Sequence, residues 1–227
     1  MLVFIVSIYK REALTKIFLD YYRPLKEKYG FEIVVAGSEG EKSKALSHGF
    51  DYIETKNFPL SQKNNAMMRR ARHHNPKAVV LLGSDDFISE SLIQYYYKLI
   101  KAKEKRVISF YDLYFYDVKE NLLTHFDCGE NSYGAGRFFP RNVLDKIMWT
   151  GWVGSYDRGL DRNNARNMIS FGIETKLVRL SEAGGVLVDV KHEFNITDKK
   201  VVKFGKPIKK ELIKSYNIPF KKIDILC

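Results

Sequence analysis

The chain has 227 residues, 45% hydrophobic and 14% aromatic, which is enough apolar mass for one well-buried core and excludes a disordered or collagen-like protein. Two cysteines, Cys128 and Cys227, exclude a disulfide framework and a four-cysteine zinc site. The formal charge is +11, but Lys199 to Cys227 carries nine Lys against Glu211 and Asp224, a local +7, so the rest of the chain holds only +4.

Excess positive charge concentrates anions near a protein, which points to a phosphorylated ligand, nucleic acid or an acidic membrane surface as partner. The cysteine usage fits a reducing, cytoplasmic setting. No apolar run approaches the roughly 18 residues that span a bilayer. The longest, Leu2 to Ile8 and Ala78 to Leu82, are strand-sized. The first has no basic segment ahead of it and no small-residue cleavage site behind it, so it reads as a strand and not a secretory leader.

In chain order, compact β-branched runs predict strands at Leu2 to Ile8, Phe31 to Ala36, Asp51 to Glu54 and Ala78 to Leu82. Between them, Leu14, Ile17, Phe18, Tyr21, Tyr22 and Leu25 recur at helical spacing, with Pro24 expected to kink or end that helix. Ser61 is placed to cap a helix that runs to His74, where Asn75-Pro76 stops it, and Ser89 to cap another through Ile100. Alternating strands and helices predict a mostly parallel, Rossmann-like sheet with helices on both faces. The aromatic, β-rich runs Arg106 to Tyr116 and Asn121 to Cys128 read as an antiparallel pair. Helices are expected at Arg141 to Trp149 and Leu160 to Phe171, and strands at Thr175 to Leu180 and Val186 to Val190. The expected division is one mixed α/β domain over 1–198, its halves meeting near residue 104, followed by a loosely packed basic extension over 199–227.

The chemistry concentrates first in Val79-Val80-Leu81-Leu82-Gly83-Ser84-Asp85-Asp86, a strand that ends in two adjacent carboxylates. Ligands of open α/β sheets gather beyond the carboxyl ends of the strands, and carboxylates there can hold a hard cation that also binds phosphate oxygens. The plain alternative is that both aspartates turn the chain and favour the next helix. This stretch resembles the acidic metal-binding motif, often Asp-x-Asp, of the GT-A glycosyltransferases, especially family 2-like members. The resemblance extends to Lys63-Asn64-Asn65-Ala66, similar to a basic/Asn-x-Gly segment and differing by one methyl at Ala66, to Ser7-Ile8-Tyr9-Lys10, and to Gly134-Ala135-Gly136-Arg137.

The resemblance implies a sugar transfer from a nucleotide-diphosphate sugar, with UDP-sugars favoured, to a carbohydrate or glycoconjugate hydroxyl, with inversion at the anomeric carbon. It implies Mn²⁺ or Mg²⁺ at Asp86 and Asp85, with His192 as a third ligand, although Ser84 stands where the motif's first carboxylate would be. It implies a donor site at Ser7, Tyr9, Lys63, Asn64, Ser84, Asp85 and Arg137, with Lys63 or Arg137 facing the diphosphate. In Trp152 to Asp161 it implies an acceptor-side base, Asp161, with Asp157 four residues earlier. A helix cap is the competing reading of Asp161, and a satisfied core or surface residue that of His192.

Two other functions stay open on sequence. A sugar-nucleotide nucleotidyltransferase also sets acidic ligands on such a sheet, but its glycine-rich basic loop is absent after the first strand. An anion-binding module would use the basic extension on an acidic membrane surface. The sparse aromatics there, Phe204, Tyr216 and Phe220, give no basis for specific nucleic-acid readout.

Overall fold

The computed structural model describes residues 1–192 and 199–226. Residues 193–198, where the expected domain boundary falls, lie outside the described residues.

Strands β1 (Leu2–Ser7), β2 (Glu32–Gly37), β3 (Asp51–Glu54) and β4 (Ala78–Gly83) form parallel ladders in the order β3-β2-β1-β4. Strands β6 (Val107–Phe110) and β10 (Thr175–Val178) continue the sheet, with the short β9 (Phe138–Pro140) slotted antiparallel between β4 and β6. A second sheet runs β12 (Lys206–Pro207), β8 (Leu122–Asp127), β7 (Asp112–Asp117), β11 (Leu187–Lys191) and β5 (Asp86–Ile88). The architecture is a mixed α/β fold with a mostly parallel central sheet flanked by helices.

Alternation along the strands explains the two-sided core. Leu2, Phe4 and Val6 of β1 face a cluster built with α1 (Glu12–Tyr29), α4 (Glu90–Lys101) and the second sheet, while Val3 and Ile5 face α3 (Leu60–Ala71), α5 (Arg141–Lys146) and α6 (Leu160–Ser170). Ser89 caps α4, its hydroxyl accepting from the Leu92 N–H at 3.3 Å. One short helix, α2 (Glu41–Leu46), had no periodic signal.

Five expectations need correction. Ser61 does not cap α3, because the helix starts at Leu60 after Pro59 and holds Ser61 in its first turn. Helix α1 runs straight through Pro24 to Gly30, whose left-handed φ of 66° closes it. Asp20, whose carbonyl lacks the Pro24 donor, sits on the exposed face of the helix. The run Arg106 to Tyr116 is not one strand: at Tyr111 the chain leaves the central sheet as β6 and enters the second as β7. Asp86 does not lead directly into a helix, because β5 intervenes.

The basic extension is not loose. Val202, Ile213, Ile218 and Ile223 are buried, β12 pairs with β8, and the Ile208 N–H donates to the Leu123 carbonyl at 2.9 Å. Lys210 donates to the Tyr116 hydroxyl at 2.6 Å and to Asp224 at 3.0 Å. One apolar residue in every few turns inward while Lys203, Lys206, Lys209, Lys214, Lys221 and Lys222 face out, so composition masks the packing. No helix among the described residues is long and apolar enough to cross a membrane.

Candidate functional site

Parallel register sets Ser7 of β1 beside Gly83 of β4, so the two strands end together. Ser7 to Arg11 on one side and Gly83, Asp85 and Asp86 on the other line one cleft of about 740 Å³. Its other walls come from Asn57, Phe58 and Asn64 around α3, from Tyr133 to Ala135, from Asp157 to Asp161, and from Asp189 and Lys191 of β11. Val201 of the extension also contributes.

Three carboxylates meet on the cleft floor: Asp85, Asp86 and Asp189 each offer an oxygen within 4.8 Å of the others. The β5–β11 ladder dictates this, because Asp86 and Asp189 are direct antiparallel partners. Like charges directly opposite repel. Burial, then the charges of Asp189 and Asp85, raise the Asp86 carboxyl well above the usual range. Burial lifts Asp189 to about 6, against the pull of Lys191. Burial also pushes Asp85 upward, but Arg11 and Lys191 outweigh it and hold that carboxyl below its ordinary value.

Two cations balance part of this charge. Arg11 reaches from the loop after β1, donating to Asp85 at 2.6 Å and to the Ser84 hydroxyl at 3.0 Å. Lys191, buried beneath the cleft wall, donates to Asp189 at 2.6 Å. Among the described residues, the other carboxylate oxygen of Asp189, Oδ1, is buried with no hydrogen-bond partner. A buried acceptor left unmatched is costly, and three carboxylates with one vacant oxygen form a hard-oxygen donor set of the kind that Mg²⁺ and Mn²⁺ take. The residues fit a divalent cation.

His192 is not part of this cluster. It lies three residues past Asp189, and its Nε2 sits 3.4 Å from the Leu226 carbonyl.

The two cations expected to face a diphosphate are spent elsewhere. Lys63 is 2% exposed and its ammonium ties the end of β1 to the β2 and β3 loops, donating to the Ile8 carbonyl at 2.9 Å, Asn57 at 3.2 Å and the Ser38 hydroxyl at 3.4 Å. Burial drops its pKa to about 8. Arg137 is equally buried and donates to Ser109 at 3.0 Å, Asn164 at 2.6 Å and Ser132 at 3.1 Å, which joins β9 to α6. Neither lines the cleft. Ser84 is buried beneath Arg11, whereas Ser7, Tyr9 and Asn64 do face the cavity. The Ser7 hydroxyl is buried and has no partner among the described residues.

Asp161 stands in the first turn of α6 and lines the cleft. Its carboxylate lies directly over Gly134: a Cβ there would come within 2.1 Å of Oδ1. Asp157 also borders the cavity, but its Oδ1 accepts the Leu60 N–H at 3.0 Å and so closes the start of α3 from a distance. The same loop is pinned by Ser61, which exchanges bonds with Gly154 and Tyr156, and by Asn65, whose amide pairs with both backbone groups of Trp152. Trp149 and Trp152 are buried in the core on the α3 side of the sheet.

No family model and no curated protein matches the chain. Among solved structures it is similar to S. aureus TarS 1-349 in complex with UDP-GlcNAc, with a TM-score of 0.56 and 12% identity over 86% of this chain and 59% of that one. The fold is GT-A-like.

Within the GT-A-like fold, Asp189 is the residue that sequence reasoning passed over. It sits in the run Val188-Asp189-Val190-Lys191-His192, and strand alternation carries the signal: a lone Asp among buried valines in a predicted strand needs a partner. Arg11 was equally unmarked, because a basic residue before a helix usually faces solvent.

Proposed function

We propose that the protein is a glycosyltransferase that moves a sugar from a nucleotide-diphosphate donor to an acceptor hydroxyl, with inversion. The convergence of Asp85, Asp86 and Asp189 where β4 gives way to β5 and β5 pairs with β11, with Asp189 Oδ1 unmatched among the described residues, carries the reading. The similarity to a UDP-GlcNAc complex favours a UDP-sugar over other nucleotide sugars.

Asp85, Asp86 and Asp189 would hold Mn²⁺ or Mg²⁺. When bound, the ion neutralises charge that builds on the departing diphosphate. Ser7, Tyr9 and Asn64 would bind the nucleoside, with the Tyr9 ring set edge-on to Phe58 at 6.3 Å across the cleft rim. Asp161 would take the proton from the acceptor hydroxyl as that oxygen attacks the anomeric carbon. Gly134 and Arg137 act as positioning residues for it, the first by leaving room and the second by holding the start of α6.

A panel of UDP-, GDP- and TDP-sugars, each with and without Mn²⁺, tests the assignment by thermal shift, since a ligand selective for the native state raises its stability. A UDP-sugar shift that needs Mn²⁺ supports it. No shift with any nucleotide sugar contradicts it.

A further inference from the structure

The cleft floor holds three carboxylates and two resident cations, and the way these are paired determines what a ligand must displace. Arg11 grips Asp85 and Ser84 together, with the ion pair only 12% and 15% exposed on its two sides. Lys191 is 2% exposed, sits 5.0 Å over the Phe115 ring, and is bonded to Asp189 at 2.6 Å. Both cations line the cavity alongside the carboxylates they hold. With no ion bound, two of the three negative charges are already matched. A divalent cation that takes oxygens from Asp85 and Asp189 competes directly with Arg11 and Lys191 for the same lone pairs, and cations buried this deeply cannot turn to bulk water at no cost.

We propose that Arg11 and Lys191 are internal counter-ions that change partners: they hold the carboxylates while the site is empty, and turn to the diphosphate of a nucleotide once a divalent ion has taken the carboxylates. The inference rests on the nucleotide-sugar reading above and assigns the diphosphate cations that Lys63 and Arg137 do not provide. It makes two groups antagonists of the metal and partners of the nucleotide at once. A residue that merely supports the fold would lower both affinities together. A counter-ion splits them.

Calorimetric titration of Mn²⁺ alone, then of UDP at saturating Mn²⁺, tests this on the wild-type chain, Arg11→Gln, Arg11→Lys and Lys191→Gln. Arg11→Gln and Lys191→Gln should each tighten Mn²⁺ and weaken UDP by about tenfold. Arg11→Lys keeps the charge and should restore most of both affinities, with the melting temperature confirming that each variant is folded. Two independent positions keep the test open if one variant does not fold. Parallel loss of both affinities, or no change in either, in a wild-type background that binds UDP, overturns the partner exchange alone. A wild-type chain that binds Mn²⁺ but no nucleoside diphosphate overturns the nucleotide reading and the exchange with it.

Discussion

Asp86 and Asp189 face each other as direct antiparallel partners, one on each strand of the β5–β11 pair, at the floor of the main cleft. Burial is the main cause of the raised pKa of both groups, with the charges of Asp189 and Asp85 adding to it at Asp86 and that of Asp85 at Asp189, so the cluster spends stability on the site.

Asp86→Asn should therefore stabilise the metal-free protein. The amide keeps an acceptor for the Gly83 N–H and removes one charge from the cluster. The expected gain is about 1 kcal/mol, read as a rise of about 2–4 °C in Tm. The same variant should lose the stabilisation that Mn²⁺ gives the wild type. A fall in Tm without metal would show that the cluster is not under electrostatic strain.

Asp161→Asn should leave UDP-sugar affinity unchanged and reduce kcat by about 10²–10⁴, the range of a removed general base. Gly134→Ala makes the same point indirectly, since the new methyl would meet the Asp161 carboxylate at 2.1 Å. It should depress kcat while sparing donor binding. Steady-state kinetics with varied donor and acceptor separate the effects. A rise in donor KM with unchanged kcat would remove Asp161 from the acceptor side.

Much of this arrangement is readable from the chain itself. The four apolar runs before residue 84 name the parallel half of the sheet, and the strand-then-acidic pattern at Gly83 to Asp86 names where the cleft opens. What hides is long-range. β9 has only Phe138–Pro140, too short for a pattern, and its place between β4 and β6 depends on tertiary pairing. The apparent phosphate cations Lys63 and Arg137 carry the expected residue types, but local sequence says nothing of the Ile8 carbonyl or Asn164 that take up their hydrogen bonds. Asp189 becomes a site residue only when β11 is laid beside β5.

Lys63 gives a pH signature. Its pKa falls from 10.5 to about 8 on folding, chiefly through burial. Below pH 8 both states hold the proton and the burial cost is constant. Between about 8 and 10.5 the unfolded chain binds more protons, so this residue makes stability rise with pH, by up to about 3 kcal/mol at 1.36 kcal/mol per pKa unit. Urea unfolding at pH 7.5 and pH 10, compared between wild type and Lys63→Met, isolates the effect. The wild type should improve relative to the variant at the higher pH. An unchanged difference would mean that Lys63 stays charged in the fold.

The carboxyl-terminal extension should be indispensable for stability. Ile223 is fully buried against the main core, and Ile223→Ala should cost about 2–5 kcal/mol. Deleting residues 199–227 should lower Tm far more than removal of a solvated tail would. Equal Tm values for the truncated and full chains would contradict the packing described.

The most direct test of the account is the affinity of UDP measured by calorimetry with Mn²⁺, with EDTA, and on Asp86→Asn with its fold checked by circular dichroism. The account predicts tight binding only for the wild type with Mn²⁺, and loss of that binding on chelation or substitution. UDP binding that survives both would contradict the claim that these carboxylates hold the diphosphate through a divalent ion.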